Sequence, residues 1–241
     1  MARLATTSNY MMSDSSFGCP ITAYPYTVSF WYYFQNVSGG AIFSFGDTSS
    51  ANLNGLYTAS NTTYIYIESS ADTISSAYTA SQWHHTAIRY TSSTSRTFYV
   101  NNSSTAFGTT RTITSNFNRW GLCAFVDSTI ANFLPNGPSI AEFAIWDADI
   151  ESTGVDKLYN RQGTPLNIRP ENLVCYCPLN DGAGIARDIV GGRHLDNISS
   201  IGYSDAFSIS MNYKQRSFMA FKGTSAVAAA TYNSIFHGSV F

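Results

Sequence analysis

Apolar and polar residues alternate with a period of two along much of this chain, and the alternating runs are short, broken by clusters of Gly, Asn, Asp and Ser. Such a period sends successive side chains to opposite faces, so it predicts strands. The strongest run is Tyr26 to Phe34, with Val28, Phe30, Tyr32 and Phe34 on one face and Thr27, Ser29, Trp31 and Tyr33 on the other. Ala41 to Phe45, Gly55 to Thr58 and Thr63 to Glu68 follow as short strands. Trp83 to Tyr90 and Arg96 to Val100 predict a hairpin joined by Thr91 to Ser95. Asn101-Asn102 then suits a tight turn, because Asn tolerates the left-handed backbone that two-residue hairpin turns demand. Further strands are expected at Thr110 to Thr114, Asn118 to Phe125 and Ile140 to Trp146, with a polar loop from Asp127 to Pro138.

After Trp146 the period changes. Between Glu151 and Arg161, Val155, Leu158 and Tyr159 fall at helical spacing, with Glu151 or Ser152 placed to cap and Gly163, Pro165 and Pro170 placed to stop. One short helix is predicted, then a return to strand from Leu173 to Pro178. Residues 1–20 lack periodicity and read as an N-terminal arm, 21–200 as a β-sandwich and 201–241 as a C-terminal extension. In that extension Met211, Tyr213, Phe218 and Phe221 are expected to meet a partner, since exposed apolar patches mark contact surfaces.

Composition narrows the function. The 241 residues are 44% hydrophobic and 15% aromatic, ample for a core. Charged residues are only 12% against a usual ~25%, so Ser, Thr, Asn, Gly and Tyr must cover much of the surface. A formal charge of −2 offers no broad basic field, which disfavours nucleic acid and anionic membrane as partners. No apolar run reaches the ~20 residues of a membrane span, and Met1 to Tyr10 lacks the apolar core of a secretory signal. Cys19, Cys123, Cys175 and Cys177 show no CxxC spacing, and on a strand the last two would hold their Cα atoms ~6.5–7 Å apart, at the limit for a bridge. Four free thiols and synthesis in a reducing cytoplasm are expected, with a Cys19 to Cys123 bridge left open.

Several segments in order carry a family likeness: Val28-Ser29-Phe30-Trp31, Gln82 to Ala87, Phe98 to Asn102, Ile140 to Trp146, Leu158-Tyr159, and the run from Asn172 through Gly184 to Leu195. Residues from about 20 to 195 resemble the concanavalin A-like, laminin-G-like jelly-roll family. The resemblance implies an all-β fold, an antiparallel jelly-roll β-sandwich with one short helix and extended terminal arms. The Leu173 to Pro178 segment resembles the opening strand of such a domain yet lies late in the chain, which implies a permuted order. The family recurs in bacteriophage structural proteins, so the resemblance implies a non-enzymatic virion module, a capsid decoration or fibre-associated protein. Its expected partners are other virion proteins, copies of itself, or host-surface glycan. Two departures stand out: the hairpin turn is Asn101-Asn102 where an acidic residue and Gly are usual, and Ala141 replaces an Asp often found before Glu142. The missing acid weakens a calcium site by analogy, so no cofactor is assigned and calcium alone is left open.

Three candidate chemistries remain. Asp147-Ala148-Asp149-Ile150-Glu151 could supply paired carboxylates for glycoside hydrolysis, but at a helix start capping is the preferred reading. Adjacent His84 and His85 point to opposite strand faces and cannot share one ion; one is expected in the core and the other exposed. Glycan binding, as a virion adhesin or as a free lectin, suits the wealth of aromatics and amides. Trp120, Asp127 and Asn132 around one loop are the chosen glycan residues, and Asp47, Asn52 and Asn54 around another are a candidate cation set.

Overall fold

The computed structural model describes residues 2–4, 10–13, 18–34, 39–48, 53–60, 62–67, 70–108, 117–126, 128–131, 139–180, 185–198 and 202–204. In chain order the strands are β1 (Ala2–Leu4), β2 (Tyr10–Ser13), β3 (Tyr26–Tyr33), β4 (Gly40–Gly46), β5 (Leu53–Ala59), β6 (Thr62–Ile67), β7 (Ser70–Ala77), β8 (Trp83–Ser92), β9 (Ser95–Val100) and β10 (Ser103–Gly108). Then come β11 (Arg119–Leu122), β12 (Phe125–Val126), β13 (Ile130–Ala131), β14 (Ser139–Trp146), helix α1 (Glu151–Tyr159), β15 (Leu173–Cys177), β16 (Leu195–Ile198) and β17 (Gly202–Ser204). One sheet runs β10-β9-β8-β3-β14-β1-β17, with β15 also paired to β14; the second large sheet runs β16-β2-β11-β4-β5-β6-β7, and β12 pairs with β13 in a small ribbon. Every registered pair is antiparallel. The result is the two-layer jelly-roll sandwich that the family resemblance implies, built from the strands that the alternation predicts.

Alternate residues of the two sheets meet in a dry aromatic interior. Phe30 packs edge-on to Phe43 at 5.5 Å, Phe43 lies 5.8 Å from Phe143, and Trp120 stacks flat on Phe143 at 5.4 Å. Val28, Phe30, Tyr32 and Phe34, the predicted inward face of β3, are all buried. Some polar groups in this core pair with one another, as burial favours. Asn54 donates to the Tyr26 hydroxyl at 2.6 Å and accepts from the Tyr90 hydroxyl at 3.1 Å.

The β9–β10 turn behaves as its residues dictate, with φ of +48° at Asn101 and +64° at Asn102. The helix differs at its cap. Neither Glu151 nor Ser152 caps it; the Asp149 carboxylate accepts the Glu151 N–H at 2.8 Å while gripping Arg89. α1 lies on the outer face of the first sheet, where Val155, Leu158 and Ile150 cluster with Ala87, Tyr99, Ala144 and Trp146. The Trp146 indole N–H donates to the Ile168 carbonyl at 2.6 Å and pins the segment after the helix.

Several stretches depart from the pattern-based expectation: the strand expected from Asn118 to Phe125 is broken into β11 and β12, β13 lies within the expected polar loop, and β17 brings the start of the expected C-terminal extension into the sheet beside β1. Residues 1–20 do not form only an arm, since β1 pairs with β14 and β17, and β2 pairs with β11 and β16. These strands are too short for periodicity to register. β7 also escapes the pattern, because an edge strand of Ser, Ala and Thr shows no apolar alternation. The late strand β15 lies in the sheet as expected, and β1 shares its side of β14: β1 faces Ser139 and Ile140, β15 faces Phe143 to Trp146.

The segment after β15 is organised by one carboxylate. Asp188 is buried, and its Oδ1 accepts the Tyr176 N–H at 2.9 Å and the Val190 and Gly191 N–H groups at 3.0 Å, while Oδ2 accepts the Arg193 N–H at 3.0 Å. The loop closes so tightly that a Cβ on Gly191 would sit 2.2 Å from the Val174 carbonyl oxygen. Glycine is required there.

Candidate functional site

The outer face of the first sheet carries a row of half-exposed aromatic side chains. In β3 the outward positions are Thr27, Ser29, Trp31 and Tyr33, and β8 sets His85 opposite Trp31 and Trp83 opposite Tyr33. Helix α1 covers one end of this face. Thr27 is buried there, donating to the Ala148 carbonyl at 2.9 Å. Trp31, Tyr33 and Trp83, beyond the helix, stay half-buried. Tyr33 and Trp83 rings lie 5.7 Å apart, and Trp31 and Trp83 both pack on Ala141.

A bulge in β14 shapes the middle of this surface. The register shifts between Ala141 and Ala144, and Glu142 takes a φ of +56°, a left-handed backbone that costs on the order of 1–3 kcal/mol for a side chain other than glycine. Ala141 pairs opposite the outward Trp31, and the Glu142 carboxylate accepts the Tyr176 hydroxyl, so two consecutive residues serve the outer side. Burial raises the Glu142 carboxyl above its ordinary range, opposed by Tyr176 and by the nearby Arg161 charge. Burial, reinforced by Glu142, pushes the Tyr176 phenol up as well.

Around Trp31 the last helical turn completes the cluster. Tyr159 stacks on it at 6.3 Å, Arg161 places its guanidinium 4.8 Å from the ring centre, and His85 lies 5.1 Å away. His85 exchanges a hydrogen bond with Ser29 at 2.8 Å, and burial drives its pKa down to about 3, so the ring is neutral. On the other flank of α1 a cleft of about 420 Å³ opens, lined by polar groups that include Asn102, Asp156, Lys157 and Gln162 with Tyr99. The whole face combines flat rings with amides, hydroxyls and few net charges.

The residues expected from sequence fare differently. Trp120 is fully buried against Phe143, so it belongs to the core and cannot stack on a surface sugar. The reason is that β11 is interior to its sheet, and this ring points between the layers. Asp127 and Asn132 lie outside the described residues, as do Met211, Tyr213, Phe218 and Phe221, the Thr110 to Thr114 strand and Asn52. Asn54 is no cation ligand, being spent on Tyr26 and Tyr90; Asp47 accepts from Asn118 at 3.0 Å. The three clustered acids are each engaged elsewhere: Asp147 with Asn172 at 3.0 Å, Asp149 with Arg89 at 2.5 Å and Glu151 with Arg169 at 2.5 Å.

His84 and His85 do point to opposite faces, yet both are buried, because the helix layer covers what a single sheet would expose. His84 donates Nε2–H to the Thr79 carbonyl and accepts from Asn101 at Nδ1, each at 2.8 Å. All four cysteines are buried free thiols, and burial lifts those of Cys19 and Cys123 to about 12. Among the described residues no three His, Cys, Asp or Glu side chains gather as a metal site, and no helix is long and apolar enough to cross a membrane. The outward parity of Trp31 and Tyr33 was readable from the alternation; Glu142 was hidden because a bulge breaks parity, and Asp156 because a helix position reveals no distant partner.

Comparison with known proteins agrees with this architecture. A family model described as the concanavalin A-like lectin/glucanases superfamily matches residues 5–154. Among solved structures, a candidate carbohydrate-binding protein of Bacteroides ovatus superposes with a TM-score of 0.62 at 12% identity, covering 88% of this chain and 61% of that one. The native heptameric SAP-like pentraxin of Limulus polyphemus superposes with a TM-score of 0.54 at 14% identity, covering 67% and 82% respectively. At such identities the likeness is one of fold. No curated protein matches the chain.

Proposed function

Because the chain belongs to the concanavalin A-like lectin/glucanases superfamily, we propose that it is a non-enzymatic carbohydrate-binding module that grips glycan with the outer face of its helix-bearing sheet. The observation that carries this reading is the half-exposed row of Trp31, Tyr33 and Trp83 beside the Glu142 and Arg161 groups. Flat rings offer apolar faces to the C–H side of a sugar, while adjacent polar groups fix its hydroxyls. A binding rather than hydrolytic role is supported by the separate engagement of Asp147, Asp149 and Glu151, which leaves them as structural ties.

The setting we propose is a bacteriophage virion, where the module serves as a capsid decoration or fibre-associated adhesin that meets host-surface glycan and neighbouring virion proteins. Low charge and a surface rich in hydroxyls and amides suit such neutral contacts. A glycan array with the wild type and Trp83→Ala, Tyr33→Ala variants tests the binding: ligands should appear, and both variants should lose them while keeping the fold. A blank array, or binding indifferent to both substitutions, would refute the site. Mass spectrometry of purified particles tests the setting, and its absence from every particle would remove the virion role.

A further inference from the structure

We infer that the cleft between helix α1 and the Asn101-Asn102 turn is a second carbohydrate site, built for a neutral polyhydroxylated ligand such as an uncharged hexose unit. It shares its chemistry with the preceding reading but not its residues. The cleft measures about 420 Å³, within the ~300–1,000 Å³ of small-molecule sites.

Asp156 organises it. Its Oδ1 accepts two amide donors, Asn102 Nδ2 at 2.7 Å and Asn160 Nδ2 at 2.8 Å. Those two hydrogen bonds fix the carboxylate of a half-buried residue. Asp156 Oδ2 receives no donor from the described residues. The fixed carboxylate thus offers its second oxygen as an acceptor for a sugar hydroxyl, beside the Asn102 side chain that lines the same cleft. Donors for the sugar's own oxygens stand alongside in Lys157 and Gln162, with Ser104, Ser152 and Thr153 hydroxyls serving either way.

Charge decides the ligand class. Asp156 and Lys157 are the cleft's two charged linings and cancel, so an acidic sugar would bring its carboxylate to Asp156 without a net positive field to hold it. A neutral sugar meets no such conflict. The Asn102 to Asp156 bond also joins the β9–β10 turn to the helix, so the site sits on two rigid elements.

The test follows side-chain amide signals of Asn102, Asn160 and Gln162 by nitrogen-15 NMR of the full chain titrated with methyl glucoside, methyl galactoside and methyl mannoside, against glucuronate as charged twin. A neutral glycoside should move these signals, and glucuronate should bind more weakly. Asp156→Asn can keep both amide bonds through its own oxygen while turning the Oδ2 acceptor into a donor; it should weaken the neutral ligand by about tenfold or more with melting unchanged. Gln162→Ala, on an exposed side chain, should weaken it without touching the fold. Unmoved amide signals, tighter glucuronate binding, or an Asp156→Asn affinity equal to wild type would each overturn the inference. Tryptophan fluorescence and Trp83→Ala report the aromatic row separately: a response there with silent amides sinks only the cleft, and responding amides with a blank aromatic row sink only the preceding reading.

Discussion

Replacing Asp188 with Ala strands four backbone N–H groups, those of Tyr176, Val190, Gly191 and Arg193. The bond to Tyr176 is buried, whereas the other three are part-buried, so water can replace the carboxylate there but not at Tyr176. An unsatisfied buried donor costs about 1–3 kcal/mol and each of the three rehydrated bonds about 0.5–1.5 kcal/mol, which brings the whole to roughly 2.5–7.5 kcal/mol. Against a total stability of about 5–15 kcal/mol this is severe. Asp188→Asn should cost less, about 2–3 kcal/mol, because one oxygen still serves the three donors on Oδ1 and only the Arg193 N–H faces an amide donor. Urea unfolding followed by tryptophan fluorescence measures both, with Asp196→Asn on an exposed residue as the control. The expected order of midpoints is control, Asn, Ala. An Asp188→Ala loss below about 1 kcal/mol would refute the view that this carboxylate organises the loop.

Three other outcomes can be checked. His85 titrates near 3 in the fold against an ordinary 6.5, so in that window the unfolded chain binds a proton that the folded chain refuses. Its stability contribution is whole above about pH 6.5 and drains as pH falls toward 3, with a slope of about 1.4 kcal/mol per pH unit. The wild-type advantage over His85→Gln should therefore shrink between pH 7 and pH 4 in denaturant titrations; an advantage equal at both would contradict the buried neutral ring. Trp120→Ala should cost about 3–5 kcal/mol as a core truncation, while Trp120→Phe keeps glycan binding, and selective loss of binding in the Phe variant would restore Trp120 to a surface role. Asp149→Ala removes a helix cap and a bidentate partner of Arg89, for about 1–2 kcal/mol, read as raised amide exchange in the first turn of α1; unchanged exchange there would count against the cap.

Burial tends to raise the Asp149 carboxyl, but the Arg89 guanidinium and the Glu151 N–H pull it below its ordinary range. That ion pair is therefore kept at neutral pH and lost in acid. It also explains why the clustered acids looked catalytic in one dimension. Carboxylates at a helix start serve equally as caps and salt-bridge partners, and only their partners Arg89, Arg169 and Asn172, distant in sequence, decide among those uses.

The residue pattern by itself determined the local elements: Val28, Phe30, Tyr32 and Phe34 had to share a face, Asn101-Asn102 had to turn, and Val155 with Leu158 had to lie on one side of a helix. These are local consequences of backbone geometry, which the chain carries wherever it goes. Tertiary structure alone decided which faces were sealed. Helix α1 buried His85 on what would have been an open side, a bulge at Glu142 turned a carboxylate outward, and the pairing of β11 between β2 and β4 enclosed Trp120. Parity names two faces of a strand, but whether either meets water depends on a second layer supplied by residues far along the chain.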